Sequence, residues 1–156
     1  MAAGGSYESA RPPRTCLPQD VDALTRLYID ALRHSPPAKT EAFLTTEAKN
    51  LLEIYLPNTT TMVIGKIGKP EGFISLLQSE IAGLFVHPNF HRLGIGTTLL
   101  NWAKAEHSEL CVEVFTSNTP ARAFYTRQGF QRRAKRLHPE TGFDLEELEW
   151  TQAPQD

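Results

Sequence analysis

Three short apolar stretches in close succession restrict the folds open to this chain more than any other feature. Thr59 to Ile67, Gly72 to Leu77 and Glu80 to Val86 are rich in β-branched and aromatic residues and are strand-like. Gly68, Lys69 and Pro70 make a turn between the first two, and the third follows almost at once. Strands joined this closely form an antiparallel meander, because a parallel crossover needs a dozen residues or more. One such crossover comes next. A helix from about Gly94 to His107 carries Ile95, Leu99, Trp102 and Ala103 on one face and leads to a strand-like run from Leu110 to Phe115.

The flanks complete the element order. Arg14 to Leu17 is a first short strand. A helix capped by Asp20 follows, with Val21, Leu24, Leu27, Tyr28 and Leu32 on one face, and Pro36-Pro37 ends it. A second helix runs from about Thr40 to Tyr55, closed by Pro57. Beyond Phe115, Asn118 to Gln128 is helical and stops at Gly129. Two strands, Phe130 to Leu137 and Phe143 to Trp150, flank a turn at Pro139 to Gly142. The order β-α-α-β-β-β-α-β-α-β-β predicts an α/β (α+β) fold with a mixed sheet. At 156 residues the chain suits one domain, residues 12–156, after a flexible tail over residues 1–11.

Composition narrows the function classes. A net charge of −2 offers no general attraction to nucleic acid or anionic membrane, so neither is expected as a partner. The dense basic run Arg132, Arg133, Lys135 and Arg136 reads as a solvated strand edge. Cys16 and Cys111 are far apart in predicted strands; they suit reduced thiols in a cytoplasmic protein and give no metal pattern. No apolar run nears the roughly 20 residues that span a bilayer.

The most informative segment for chemistry is Val86-His87-Pro88-Asn89-Phe90-His91-Arg92-Leu93-Gly94-Ile95-Gly96-Thr97. Two glycines stand where a strand passes through a loop into an amphipathic helix. They allow close approach to a ligand, and the open N–H groups of the helix start favour an anion such as phosphate. Arg92 can add a charged contact. The segment is neither a dinucleotide fingerprint, which needs a third glycine and a later acid, nor a P-loop, which needs Gly-Lys-Ser/Thr. Taken alone it is equally a tight turn.

About 20 residues on comes Asn118-Thr119-Pro120-Ala121-Arg122-Ala123-Phe124-Tyr125, followed by Gly129-Phe130. Together the two segments resemble the GCN5-related N-acetyltransferase (GNAT) superfamily. Its cofactor motif is Gln/Arg-x-x-Gly-x-Gly/Ala before a helix, and its second motif is Asn-x-x-Ala-x-x-Phe/Leu-Tyr with Gly-Phe after it. The match is specific from Glu80 to Phe130 and continues by element order from Arg14 to Trp150. His91 departs from the pattern by standing where Gln or Arg is usual, with Arg92 next to it.

The resemblance implies an acetyl-CoA-dependent N-acetyltransferase, without metal, acting on an amine of unknown identity, in a family whose members often form homodimers. Leu84, Phe85 and Val86 would offer backbone groups to the pantetheine arm. Arg92, Leu93, Gly94, Ile95, Gly96 and Thr97 would hold the pyrophosphate. Asn118 would meet the cofactor near its thioester, and Tyr125 would serve as general acid beside the sulfur. Glu80 and Glu113 are the candidate bases, with His34 and His138 as weaker ones. Alternation turns Glu113 away from the face of Val112 and Val114. The acidic run Asp144, Glu146, Glu147 and Glu149 reads as a half-exposed strand that could attract a cationic amine. The competing expectation is a non-catalytic acyl-CoA-binding module on the same fold.

Overall fold

The computed structural model describes residues 11–154. Its elements are β1 (Arg14–Thr15), α1 (Val21–His34), α2 (Glu41–Asn50), β2 (Thr60–Lys66), β3 (Lys69–Leu77), β4 (Glu80–Val86), α3 (Ile95–Glu106), β5 (Glu109–Phe115), α4 (Thr119–Arg127), β6 (Gln131–Leu137) and β7 (Asp144–Thr151). Seven strands form one sheet in the order β1-β2-β3-β4-β5-β7-β6. Every neighbouring pair is antiparallel except β4 and β5. The meander and the single crossover therefore stand as the sequence implied.

Helices cover both faces. On one, Ile95, Leu99, Leu100 and Ala103 of α3 and Tyr125 of α4 pack on Ile64, Ile74, Leu76, Ile81, Val112, Val114 and Leu148. On the other, Leu24, Leu27 and Tyr28 of α1 pack with Leu51 on Val63 and Phe73. Leu99 is fully buried, and its side chain contributes about 1.5–3 kcal/mol of transfer energy. Trp102 and Trp150 lie half-buried against the first cluster.

Several local expectations are corrected. Asp20 does not cap α1 through its side chain. Its carboxylate turns back and accepts from Arg14 (2.8 and 2.9 Å), the Leu17 amide (2.8 Å) and the Gly68 amide (2.8 Å). Thr40 does cap α2, accepting from the Phe43 amide at 3.1 Å. After Asn50 the helix widens into a π segment, Leu51–Tyr55, and Pro57 sits inside a final short turn, Leu56–Asn58, instead of ending it. Cys16 lies one residue past β1; Cys111 is within β5, and both thiols are free. The basic run falls on β6, exposed throughout at the sheet edge. Of the expected tail, residues 1–10 lie outside the described residues, while the Arg11 guanidinium pairs with Glu71.

Candidate active site

The site follows from how β4 leaves its neighbour. The parallel ladder to β5 holds only two register pairs, Glu80 with Cys111 and Ile81 with Val112. On the other side β4 stays paired with β3 up to Val86, although the register slips between Ser75/Gly83 and Leu76/Ile81. Ala82 is the extra residue of this bulge, which bends the strand. Beyond it no further pair joins β4 to β5, and the gap between the two strands is the candidate cleft.

The backbone lining that cleft is set by ladder alternation. The His87 amide donates to Glu71 O at 2.8 Å, which makes that pair hydrogen-bonded. Alternation then turns the amide and carbonyl of Val86 and of Leu84 away from β3 and into the cleft, while those of Phe85 face β3. Phe85 contributes its ring instead, 5.1 Å from Tyr28 and 5.6 Å from Phe73. His91 Nε2 lies 2.9 Å from Val86 O, so the residue that departs from the family pattern braces the strand end.

The cleft opens onto the start of α3. Gly94 takes a left-handed conformation, φ 80°, and Arg92 likewise has φ 68°. The Thr98 amide is the first to find an acceptor in the helix, Gly94 O at 2.9 Å. The amides of Ile95, Gly96 and Thr97 are left without an intrahelical partner at the positive end of the helix dipole. A Cβ placed on Gly94 would meet nothing within 4 Å, so the space beside the loop at that residue is open. At Gly96 a Cβ would be in ordinary contact with the ring of Phe124 of α4, at 3.5 Å. Thr97 Oγ accepts from Gln128 of α4 at 3.2 Å. A cradle of free amides at the positive end of a helix could hold an anion such as a diphosphate.

α4 supplies the second half. Asn118 caps it, its side-chain oxygen accepting from the Ala121 amide at 3.3 Å, and its NH2 group has no partner among the described residues. Tyr125 is 5% exposed, with its ring 5.2 Å from Phe124 and 5.1 Å from Phe130. No described residue bonds its hydroxyl. Burial holds that phenol above its ordinary range, so it stays protonated throughout the physiological pH range.

The carboxylates gather on the α1/α2 face of the sheet. Glu80 stands beside Cys111, and Glu113 is opposite Glu147 of β7. Arg136 of β6 grips both oxygens of Glu113, at 2.5 and 2.7 Å. Arg133 reaches Glu147 at 3.1 Å and Glu149 at 2.5 Å. Among the described residues Glu80 has no such partner. Desolvation raises its pKa, Glu113 and Glu147 raise it further, and Arg136 opposes them. The acidic run of β7 is split: Glu147 and Glu149 line this face, whereas Glu146 is buried on the other, 3.1 Å from Arg122 of α4.

The two histidines are placed differently. His138 Nδ1 is engaged by Thr141, and its ring packs on Phe115 at 5.5 Å. His34 sits at the exposed end of α1 with Nδ1 2.8 Å from Asp30 O. Sequence reasoning missed Lys39, which donates to Leu32 O, Ser35 O and Pro37 O at 2.8–3.0 Å and lies 5.5 Å over the Phe115 ring. It also missed Glu47, a buried carboxylate accepting from Tyr28 (2.6 Å), Tyr55 (3.0 Å) and Asn50 (3.1 Å). The π segment, Leu51–Tyr55, alters the helical register between Glu47 and Tyr55, which regular helical spacing does not reveal.

A mixed sheet splayed at its one parallel pair, over a glycine-opened helix start, defines the acyl-CoA N-acyltransferase architecture. Residues 57–132 match the acetyltransferase (GNAT) domain family, and the fold is that of GNAT acetyltransferases. It is 38% identical over 79 residues to the peptidyl-lysine N-acetyltransferase YiaC of Escherichia coli, which covers 50% of this chain and 54% of that protein. The chain thus spans little more than half the length of such curated relatives. In fold it is similar to the solution structure of apo YjaB from Escherichia coli, with TM-score 0.77, 21% identity, and coverage of 90% and 97% of the two chains. It is also similar to YncA, a putative acetyltransferase from Salmonella typhimurium solved with acetyl-CoA. That comparison gives TM-score 0.62, 15% identity, and 94% and 96% coverage.

Proposed function

We propose that this protein is an acetyl-CoA-dependent N-acetyltransferase acting on a lysine-like primary amine. The carrying observation is the two-pair ladder between β4 and β5, whose splay leads from the open amides of α3 to an acidic face of the sheet. The superfamily's use of acetyl-CoA and the peptidyl-lysine acetyltransferase activity named for YiaC support the reading.

Each residue then has a task. The amides of Ile95, Gly96 and Thr97 hold the diphosphate, with Arg92 adjacent. Leu84 and Val86 pair with the pantetheine arm through backbone groups turned into the cleft, and one of these amides donates to the thioester carbonyl oxygen. Glu80 takes the acceptor's proton. The neutral nitrogen attacks the carbonyl carbon directly in a ternary complex, the C–N bond forms and the C–S bond breaks. Tyr125 gives its proton to the departing sulfur and regains one from the second proton that the new amide nitrogen sheds, leaving amide, thiol and protonated Glu80.

The base matters most for a lysine-like acceptor. With a pKa of about 10.4, such an amine is neutral in roughly one molecule in 2,500 at pH 7, a cost of about 4.6 kcal/mol. An α-amine near pKa 8 costs only about 1.4 kcal/mol. Glu80 suits the harder task because its neighbours favour proton uptake, whereas Glu113 has both oxygens tied to Arg136. The surrounding carboxylates also favour a cationic acceptor over a neutral one. A thiol-release assay with Nα-acetyl-lysine, an α-amine peptide, a polyamine and an aminoglycoside tests this. The lysine analogue is expected to react fastest, and Glu80→Gln should lower its kcat at least 30-fold. A preferred α-amine, or full activity in Glu80→Gln, contradicts the assignment.

A further inference from the structure

The proposed reaction leaves unexplained why the face that receives the amine carries an arginine in direct contact with a carboxylate. Glu80 is surrounded from three strands. β5 presents Cys111 and Glu113, β7 presents Glu147 and Glu149, and β6 presents Arg133 and Arg136. Arg133 is spent on Glu147 and Glu149 near the sheet edge. Arg136 is the cation that reaches inward across β7 to β5, and its bidentate grip fixes the orientation of Glu113. A bulge in the β6–β7 register between Arg132 and Ala134 sets the face on which Arg136 emerges.

We propose that Arg136 is a positioning residue: by holding Glu113 as a fixed, neutralised anion it leaves Glu80 as the only carboxylate that exchanges a proton with the acceptor amine. This inference rests on the assignment of Glu80 above. It makes a signed prediction, because Arg136 and Glu113 act on Glu80 with opposite charges. Without Arg136, Glu80 faces an unscreened like charge and binds its proton more tightly. Without Glu113, it faces a free cation and releases the proton more readily.

The experiment is the pH dependence of kcat/KM of the full chain with acetyl-CoA and Nα-acetyl-lysine, for the parent, R136Q, R136K, E113Q and the double variant E113Q/R136Q. Arg136 is half-exposed, so shifts are taken at the low end of those seen for adjacent charges, about 0.5–1 pH unit. R136Q should move the acid limb up by that amount, losing about three- to ten-fold in kcat/KM below the limb with an unchanged plateau. E113Q should move it down. The double variant should return to within about 0.3 unit of the parent, and R136K should stay near the parent.

Titration of the Glu80 carboxyl by 13C NMR reads the same shifts without turnover. It also serves if a variant is inactive, and R136K and E113Q carry the test if R136Q does not fold. Shifts of the same sign in R136Q and E113Q, no shift in either, or loss of the plateau in E113Q overturn the proposal. If E80Q abolishes turnover while R136Q leaves the limb in place, only this inference fails. If E80Q keeps both plateau and limb, the assignment of the base fails with it.

Discussion

Substituting Gly94 by Ala separates the fold from the donor site. Gly94 sits at φ 80°, where an L side chain crowds its own carbonyl at a cost of about 1–2 kcal/mol. No heavy atom lies within 4 Å of the new Cβ, so no clash adds to that cost. The expected loss of stability is thus about 1–2 kcal/mol, or roughly 2–8 °C in Tm for a chain of this size. The methyl group enters open space next to the amides of Ile95, Gly96 and Thr97, which are assigned to the diphosphate. Displacing the phosphate from one amide forfeits a charge-assisted hydrogen bond worth about 1.5–3 kcal/mol. Acetyl-CoA affinity should fall about 10- to 100-fold, read by calorimetry well below the melting temperature, with a matching rise in KM. Affinity within two-fold of the parent, at the expected Tm, would refute the placement of the phosphate.

Tyr125→Phe should cut kcat at least ten-fold and leave acetyl-CoA affinity within about two-fold, since the hydroxyl bonds no described residue; unchanged turnover removes Tyr125 as the acid. Asp20 gives a pH signature unrelated to catalysis. Its Arg14 partner, aided by the Leu17 and Gly68 amides, lowers its pKa to about 2. The folded value lies below the unfolded value of about 3.9, so the stabilisation is complete above about pH 5 and lost as pH falls through 4 towards 2. It amounts to about 2–3 kcal/mol. Asp20→Asn should therefore lower stability at pH 7 by about that much in denaturant unfolding, with the gap to the parent closing at low pH; a constant gap contradicts the account.

Much of the fold was legible because its signals are local. Gly68 marks the β2–β3 turn, Gly129 stops α4, and the apolar spacing of Leu24, Leu27 and Tyr28 sets the buried face of α1. The cradle was legible for the same reason, being built from consecutive residues at one strand–helix junction. What failed depends on partners remote in the chain. Asp20 looked like a helix cap, but its carboxylate meets Gly68, 48 residues away, once β2 and β3 fold over it. Glu80 and Glu113 were equal candidates in sequence. They differ through the opposing strand, because Arg136 finds Glu113 only by the register and bulge of β6 on β7. The bulge at Ala82, which opens the cleft, breaks the alternation between Ile81 and Leu84 in a way that a seven-residue strand does not disclose.

The central claim is that coenzyme A lies in the β4–β5 cleft with its diphosphate on the start of α3. Titrating the 15N-labelled chain with acetyl-CoA, and following backbone amides by NMR, tests it most directly. The largest shifts should fall on Leu84 and Val86, on Arg92 to Thr97 and on Asn118, while Phe85, whose amide is bonded to β3, moves least along β4. Absence of binding at millimolar acetyl-CoA, or shifts confined to the α1/α2 face, would contradict it.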